Sequence, residues 1–405
     1  MSFNLGREQM SRYKKAKENP FLVILVNRDS FFLSHFLSRS LTAAKAGYLP
    51  LVLCPNTGSG ERILAKGLGF IPVEMQRQGI SLFAAFRTLL SLIRIYRETQ
   101  PKVVWHIGLK PIVLGSLAAR IAGVRGVVNA PVGMGFVFAS NSRKARLLRP
   151  VIRRLLRVLL NPPGSKVVFE NADDLREMQA LGAVRAPDAV LIRGAGVNVH
   201  EYVPAPEPQG VPVVLFAARL IWEKGVAEFV EAARLLRARG VSARFQIAGG
   251  VDHDSASAVP ESQLRQWVEQ GCIEWLGARE DMPQVLAGST LFCLPSWYRE
   301  GLPKVILEAM ACERAVVTTD TAGCREAVTH MDNGLLVPPK DLTALADAIE
   351  ILLNEPALRW RLAKRGRERA CNEFATEIVC DQTLSVFNSV VPKPEEFSAK
   401  PQRPR

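Results

Sequence analysis

Apolar residues along the chain fall into short continuous runs, separated by longer stretches with helical spacing. Phe21–Val26 and Leu49–Cys54 are runs of the kind that a parallel sheet buries on both faces. Between them Phe31–Ala46 has helical spacing and ends at Gly47. Gly60–Leu68 repeats the helical pattern, Phe70–Val73 is a short strand, Ser81–Glu98 a long amphipathic helix and Val103–Ile107 another strand. The second half repeats the alternation. It predicts strands at Val213–Phe216, Arg244–Ala248, Ile273–Leu276, Leu291–Leu294 and Ala315–Thr318. The intervening helices are Val226–Arg239, Leu264–Glu269, Leu342–Leu353 and Pro356–Phe374. Strands alternating with helices predict a parallel α/β sheet in each half.

The 405 residues are too many for one ordinary core and suit two domains. The expected organisation is a basic N-terminal extension over 1–20, a first Rossmann-like domain over 21–193 and a linker over 194–212. A second Rossmann-like domain follows over 213–375, then a C-terminal helix crossing back over 376–391 and a disordered tail over 392–405. The linker reading rests on Tyr202–Pro212, with four prolines and little apolar content. Ligands of such sheets bind beyond the carboxyl ends of the strands, so the residues just after each strand carry the functional reading.

Charge changes the picture of the first half. Residues 1–193 hold 29 Lys+Arg against 11 Asp+Glu, a net +18; the remainder of the +13 chain is −5. A basic half facing an anionic partner follows. Ser140–Leu160 concentrates this charge: Arg143, Lys144, Arg146, Arg149, Arg153, Arg154 and Arg157 interleave with leucine, valine and isoleucine. Such a basic amphipathic segment reads as a membrane-surface element. Aliphatics rather than stacking aromatics between the cations argue against a nucleic-acid partner. No apolar run reaches the roughly 18 residues of a spanning helix, and Phe21–Val26 is too short for a signal-peptide core. Seven cysteines without a CxxC pair fit reduced thiols in a cytosol.

The chemistry lies after the strands of the second half. Arg219 and Lys224, in Ala218-Arg219-Leu220-Ile221-Trp222-Glu223-Lys224-Gly225, precede a helix start, where free amides and the helix dipole favour a diphosphate. Pro295-Ser296-Trp297-Tyr298-Arg299-Glu300-Gly301-Leu302-Pro303 leads into a helix containing Glu308. Gly301 permits close backbone approach and Pro303 suits the first turn. Two carboxylates there can accept hydrogen bonds from sugar and ribose hydroxyls, with the amides of Gly301 and Leu302 toward the phosphates between them. Asp252-His253-Asp254 has an Asp-x-Asp pattern, but the diphosphate already has two cations, so no metal and no cofactor are expected.

These motifs resemble the retaining GT-B glycosyltransferases of family four. Arg219…Lys224-Gly225 and Glu300-x7-Glu308 match its two main motifs. Trp275-Leu276-Gly277 with Asp281-Met282, Gly323-Cys324-Arg325-Glu326, Asn333–Pro338 and Gly194–Asn198 agree, and the likeness spans about residues 21–390. The resemblance implies a GT-B fold, two Rossmann-like domains facing across a cleft. It assigns Arg219 and Lys224 to the diphosphate, Glu300 to the donor sugar, Glu308 to the ribose and Gly277–Arg279 to the base. Glu313 and Ala315 stand where the family usually has Gly and Pro, and Asn198 where it has Asp.

In the first half, Asp29–His35, Trp105–Pro111 and Gly133–Phe138 are similar to the subgroup extending sugars on undecaprenyl diphosphate. That likeness implies His106 at the cleft as a catalytic group, with His35, Lys110, Gly133 and Gly135 on the acceptor side. The expected activity is a hexosyl or N-acetylhexosaminyl transfer from a nucleotide-diphosphate sugar, UDP favoured, to a lipid-linked saccharide. The enzyme would be cytoplasmic and peripheral on the inner membrane face. The alternatives are a non-catalytic glycosyltransferase-like subunit, a relative using the same site as a sucrose-type synthase or epimerase, and a basic nucleic-acid-binding protein.

Overall fold

The computed structural model describes residues 20–75, 81–132, 150, 154–252 and 255–391. The chain divides into two compact units. One is Met1–Phe169 with Asp173–Ile192 and Cys380–Arg405; the other is Glu170–Ala172 with Arg193–Val379.

In chain order the first unit's elements are β1 (Phe21–Val26), α1 (Asp29–His35), α2 (Leu37–Lys45), β2 (Leu49–Cys54), α3 (Gly60–Ala65) and β3 (Gly69–Pro72). They continue with α4 (Leu82–Thr99), β4 (Val103–Ile107), α5 (Leu109–Ala122), β5 (Val127–Ala130), a helical stretch α6 (154–159), β6 (Lys166–Phe169), α7 (Ala172–Ala180) and β7 (Ala189–Leu191). All seven strands are parallel, in the order β3-β2-β1-β4-β5-β6-β7. Leu22–Val26 are fully buried, as a strand covered on both faces requires. The crossovers holding α4, α5, α6 and α7 all step the same way along the sheet, so right-handed connection places these helices on one face. Packing agrees: Leu92, Ile95 and Tyr96 of α4 share a core with Ala118 and Ala119 of α5, and Ile112 of α5 shares one with Leu156 and Leu160.

The helix expected over Phe31–Ala46 is two helices. The chain leaves helical geometry at Phe36 (φ −123°, ψ −7°), whose buried ring packs edge-on to Trp105 at 5.2 Å. Ser81 caps α4 by accepting from the Ala84 amide at 3.3 Å.

The second unit contains β8 (Val213–Ala217), α8 (Val226–Ala238), β9 (Arg244–Ala248), α9 (Glu261–Glu269), β10 (Glu274–Gly277), α10 (Met282–Ala287) and β11 (Leu291–Leu294). Then come α11 (Lys304–Ala311), β12 (Ala315–Thr319), α12 (Ala322–Ala327), β13 (Leu335–Val337), α13 (Leu342–Asn354) and α14 (Pro356–Glu373); α15 (Thr376–Val390) starts in this unit and from Cys380 belongs to the first. Its six parallel strands run β10-β9-β8-β11-β12-β13, so the order reverses beside β8. Residues 194–212 are not a loose tether: Val197 and Tyr202 join this unit's core. Arg367 donates to the carbonyls of Tyr202 at 2.8 Å and Val199 at 3.1 Å, and Arg314 to that of Ala205 at 2.7 Å. Those guanidinium bonds satisfy a proline-rich backbone that has few amides to offer a ladder. Glu313 takes φ 56°, a left-handed conformation that favours glycine.

Candidate functional site

The second unit gathers its motifs at the carboxyl ends of β8, β9, β10, β11 and β12, around the reversal of strand order. After β8 the chain makes a short turn, Trp222–Lys224, and enters α8 through Gly225. Gly225 has φ 82°, and a Cβ there would lie 2.1 Å from the Pro295 carbonyl oxygen. This close approach locks the turn onto the segment after β11. The Glu223 carbonyl accepts from the amides of Trp297 at 3.1 Å and Tyr298 at 3.2 Å.

The lock brings Lys224 onto Glu300. Lys224 is buried and its Nζ pairs with Glu300 Oε2. Ser296 Oγ donates to Glu300 Oε1 at 3.0 Å. Gly301 lies where a Cβ would meet Glu170 Oε2, and its carbonyl accepts from Asn171 Nδ2 at 3.0 Å. Gly323 packs its Cα against the Gly301 carbonyl, with 2.5 Å left for any Cβ. Leu302 is buried against Gly194.

Glu308 is buried in α11, with Lys304 Nζ at 3.3 Å, one turn earlier. Tyr202 is its second neighbour: burial, then the charge of Glu308 and a hydrogen bond to it, push the phenol up from its usual value. Arg219 is half-exposed, and its Nη1 lies 3.0 Å from Asp252 Oδ2. Asp252 thus serves an arginine; His253 and Asp254 lie outside the described residues. Gly277 takes φ 69° at the end of β10, where Trp275 Nε1 donates to the Gly249 carbonyl at 3.0 Å. Arg279 beyond it is held by Asp281, with Nε 2.8 Å from Oδ1. The segments that follow β8 and β11 therefore carry Lys224 paired with Glu300, Arg219 beside Asp252, and Glu308 beside Lys304. Tyr202 was not singled out from sequence, because it lies 106 positions before Glu308 and no spacing rule joins the two; Asp252 was read there only as part of an Asp-x-Asp pattern.

The first unit corrects one expectation. His106, expected at the cleft, is fully buried. Its Nδ1 bonds Asn129 Oδ1 at 2.8 Å and its Nε2 bonds the Tyr96 hydroxyl at 3.1 Å. Gly115 leaves room for the ring, since a Cβ there would lie 2.4 Å from it. With both nitrogens bonded inside the core, His106 is a structural residue and not a catalytic one. Burial pushes its pKa down from 6.5 to about 4. The unfolded chain then takes up a proton that the folded chain refuses. The stability is present above pH 6.5 and lost as pH falls toward 4, on the order of 3 kcal/mol. His106→Gln is expected to flatten this acid loss in melting curves while keeping neutral-pH turnover within about tenfold. A folded variant losing about 10²–10⁴ would restore the catalytic assignment.

Lys110 opens α5, half-buried, and burial lowers its ammonium from the usual value. His35 ends α1, with Nδ1 2.7 Å from Ser34 Oγ. Asp29 is buried and accepts from the amides of Thr57 at 2.7 Å and Ser59 at 2.9 Å. Burial opposes its charge, yet these hydrogen bonds hold its pKa below the usual value, so it clamps the β2–α3 loop. Gly133 and Gly135, and most of the basic segment 140–160, lie outside the described residues.

Comparison with known proteins gives this geometry a family. Residues 22–161 match the family described as glycosyl transferase 4-like, and residues 211–355 match glycosyl transferases group 1. The N,N'-diacetylbacillosaminyl-diphospho-undecaprenol alpha-1,3-N-acetylgalactosaminyltransferase of Campylobacter jejuni is 28% identical over 353 residues, 84% of this chain and 91% of that one. The alpha-maltose-1-phosphate synthase of Mycolicibacterium smegmatis is 32% identical over 54% of this chain and 60% of its own. Among solved structures, Anabaena HepE in complex with UDP and glucose superposes with a TM-score of 0.74 at 19% identity, over 91% of this chain and 99% of that one. A sucrose-phosphate synthase of Thermosynechococcus elongatus gives 0.75 at 18% identity, over 92% and 99%. Two parallel-sheet units, both matched by glycosyltransferase families and the second carrying Arg219, Lys224, Glu300 and Glu308, make this chain a member of the GT-B glycosyltransferases.

Proposed function

We propose that this glycosyltransferase moves a sugar, with retention, from a nucleotide-diphosphate donor, UDP favoured, to a saccharide on a lipid diphosphate. The product would serve surface polysaccharide or glycan synthesis at the inner face of the cytoplasmic membrane. The observation that carries the donor half is the meeting of Lys224 and Glu300 at the switch between β8 and β11. One cation and one acceptor side by side suit a diphosphate next to a sugar. As the anomeric bond to the diphosphate breaks, Lys224, Arg219 and the start of α8 stabilise the charge on the leaving oxygen. Glu300 holds sugar hydroxyls, and Glu308, fixed by Lys304 and Tyr202, takes the ribose. The acceptor hydroxyl attacks from the side the leaving group departs, and the departing phosphate takes its proton. The lipid-linked acceptor is supported by the name of the Campylobacter relative. Among the described residues no helix is long and apolar enough to cross a membrane. The membrane contact is therefore assigned to the basic segment 140–160, of which Arg154 and Arg157 are described and exposed.

The test is thermal stability with UDP, GDP, ADP, CDP and TDP, each beside Arg219→Ala. At 100 times its dissociation constant the matching nucleotide adds about 2.7 kcal/mol. A shift with UDP that the variant loses is expected; a shift with another nucleotide alone would replace UDP. No shift with any would count against the donor site.

A further inference from the structure

The first unit carries an apolar patch that sugar transfer does not use. Leu82, Phe83, Phe86 and Leu90 are 80%, 73%, 56% and 50% exposed. Their spacing puts them on one face of α4, along about 12 Å of its first turns. The opposite face is core: Thr88, Leu92, Ile95 and Tyr96 are buried. Bulky side chains exposed on successive turns of one helix mark an interaction surface. In the second unit the exposed large apolar side chains are spread over separate elements.

Charge identifies the occupant. Exposed Arg87, Arg94 and Arg97 continue the α4 face, where Arg94 pairs with Glu98 at 2.8 Å and Arg87 lies 3.8 Å from Glu74. In the same helix layer, α5 exposes Ile121 and Arg120, and α6 exposes Leu155 and Val158 beside Arg154 and Arg157. No Asp or Glu occurs anywhere between Glu98 and Glu170. The large apolar groups of α4, and the apolar groups and arginines of α5 and α6 that lie in the acid-free stretch, complement an anionic bilayer: hydrocarbon for the apolar groups, phosphates for the arginines.

We infer that the N-terminal half of α4 is a membrane-insertion element, with Leu82, Phe83, Phe86 and Leu90 entering the interface of an anionic bilayer. Arg97 of α4 and the arginines of α5 and α6 lie against its phosphates. This rests on the membrane location proposed above and adds a second, apolar contact to its basic segment.

The test uses the full chain, and the triple variant Phe83→Ser, Phe86→Ser, Leu90→Ser. All three side chains are exposed, so the variant should keep the wild-type melting temperature and the UDP-induced shift. Cosedimentation is measured with vesicles of phosphatidylcholine alone and with about 30% phosphatidylglycerol, at about 0.1 M and about 0.5 M salt. Wild type is expected to bind the anionic vesicles, with part of the binding surviving high salt. The variant should lose about tenfold or more in partition at both salt levels. Wild type and variant binding equally would overturn the α4 assignment and leave the membrane location standing. Wild type binding neither vesicle would overturn both. A dimer seen by sedimentation velocity without lipid and abolished in the variant, with vesicle binding unchanged, would assign the patch to a second copy of this chain and overturn the inference.

Discussion

Lys224→Ala is expected to lower kcat/KM for the nucleotide-sugar donor by about 10²–10³, with the folded state retained at low temperature. Removing one donor that faces developing negative charge costs that much in other enzymes, about 2.7–4 kcal/mol. Here a second effect adds to it. Lys224 and Glu300 are both largely shielded, their side chains 11% and 15% exposed. Taking away one partner leaves the other charge uncompensated, and Ser296 alone cannot neutralise Glu300. Glu300→Gln keeps the shape and removes the charge, so the double variant Lys224→Ala, Glu300→Gln should regain part of the stability and none of the turnover. Steady-state kinetics and melting curves of the four proteins separate the two effects. Single-variant turnover within a few-fold of wild type would remove Lys224 from the diphosphate site.

Gly225→Ala is expected to cost more than any single side-chain deletion around the site. At φ 82° a Cβ is disfavoured by about 1–2 kcal/mol before packing is considered. It would also sit 2.1 Å from the Pro295 carbonyl oxygen, which belongs to backbone held by β11 and cannot swing aside. The relaxation available is separation of the Trp222–Lys224 turn from Pro295–Tyr298. That breaks the bonds from Trp297 and Tyr298 to Glu223 and pulls Lys224 off Glu300. Loss of about 3–5 kcal/mol is expected, with UDP-dependent stabilisation abolished. A soluble variant with the wild-type melting temperature and UDP shift would show that the two segments are not locked.

The long amphipathic helices and the continuous apolar strands were legible in the sequence because each carries its own period. Val103–Ile107, Arg244–Ala248 and Leu291–Leu294 have the bounds their apolar runs gave. The helix Leu109–Ala122 was missed because it is apolar on most sides, wedged between α4 and α6, and shows no period. Val127–Ala130, Lys166–Phe169 and Leu335–Val337 hold apolar runs of only two or three residues, shorter than the four of Leu291–Leu294, and no strand pattern emerges from them. The charged motifs after β8 and β11 could be read because their chemistry is local to each loop. Their pairing could not: Lys224 and Glu300 meet only because Gly225 lets two backbones touch. His106 shows the opposite error. The family likeness put it at the cleft as a catalytic group, while Tyr96 and Asn129, which satisfy it, come from neighbouring elements that a linear reading does not connect.

Four glycines of the second unit press main chain on a main-chain carbonyl: Gly225 on Pro295, Gly249 on Ala218, Gly323 on Gly301 and Gly334 on Val316. In each pair the opposing atom is a carbonyl oxygen common to all amino acids, so no change of the partner residue can make room. Compensation by a second substitution, the ordinary route by which packed positions drift together, is closed to them. Arg279–Asp281 and Arg244–Glu274 are different: both are exposed side-chain pairs that can be exchanged one partner at a time. The frame that holds the charged site is therefore the part of this unit with the fewest mutational routes away from its present form, while its outer trim is free to diverge.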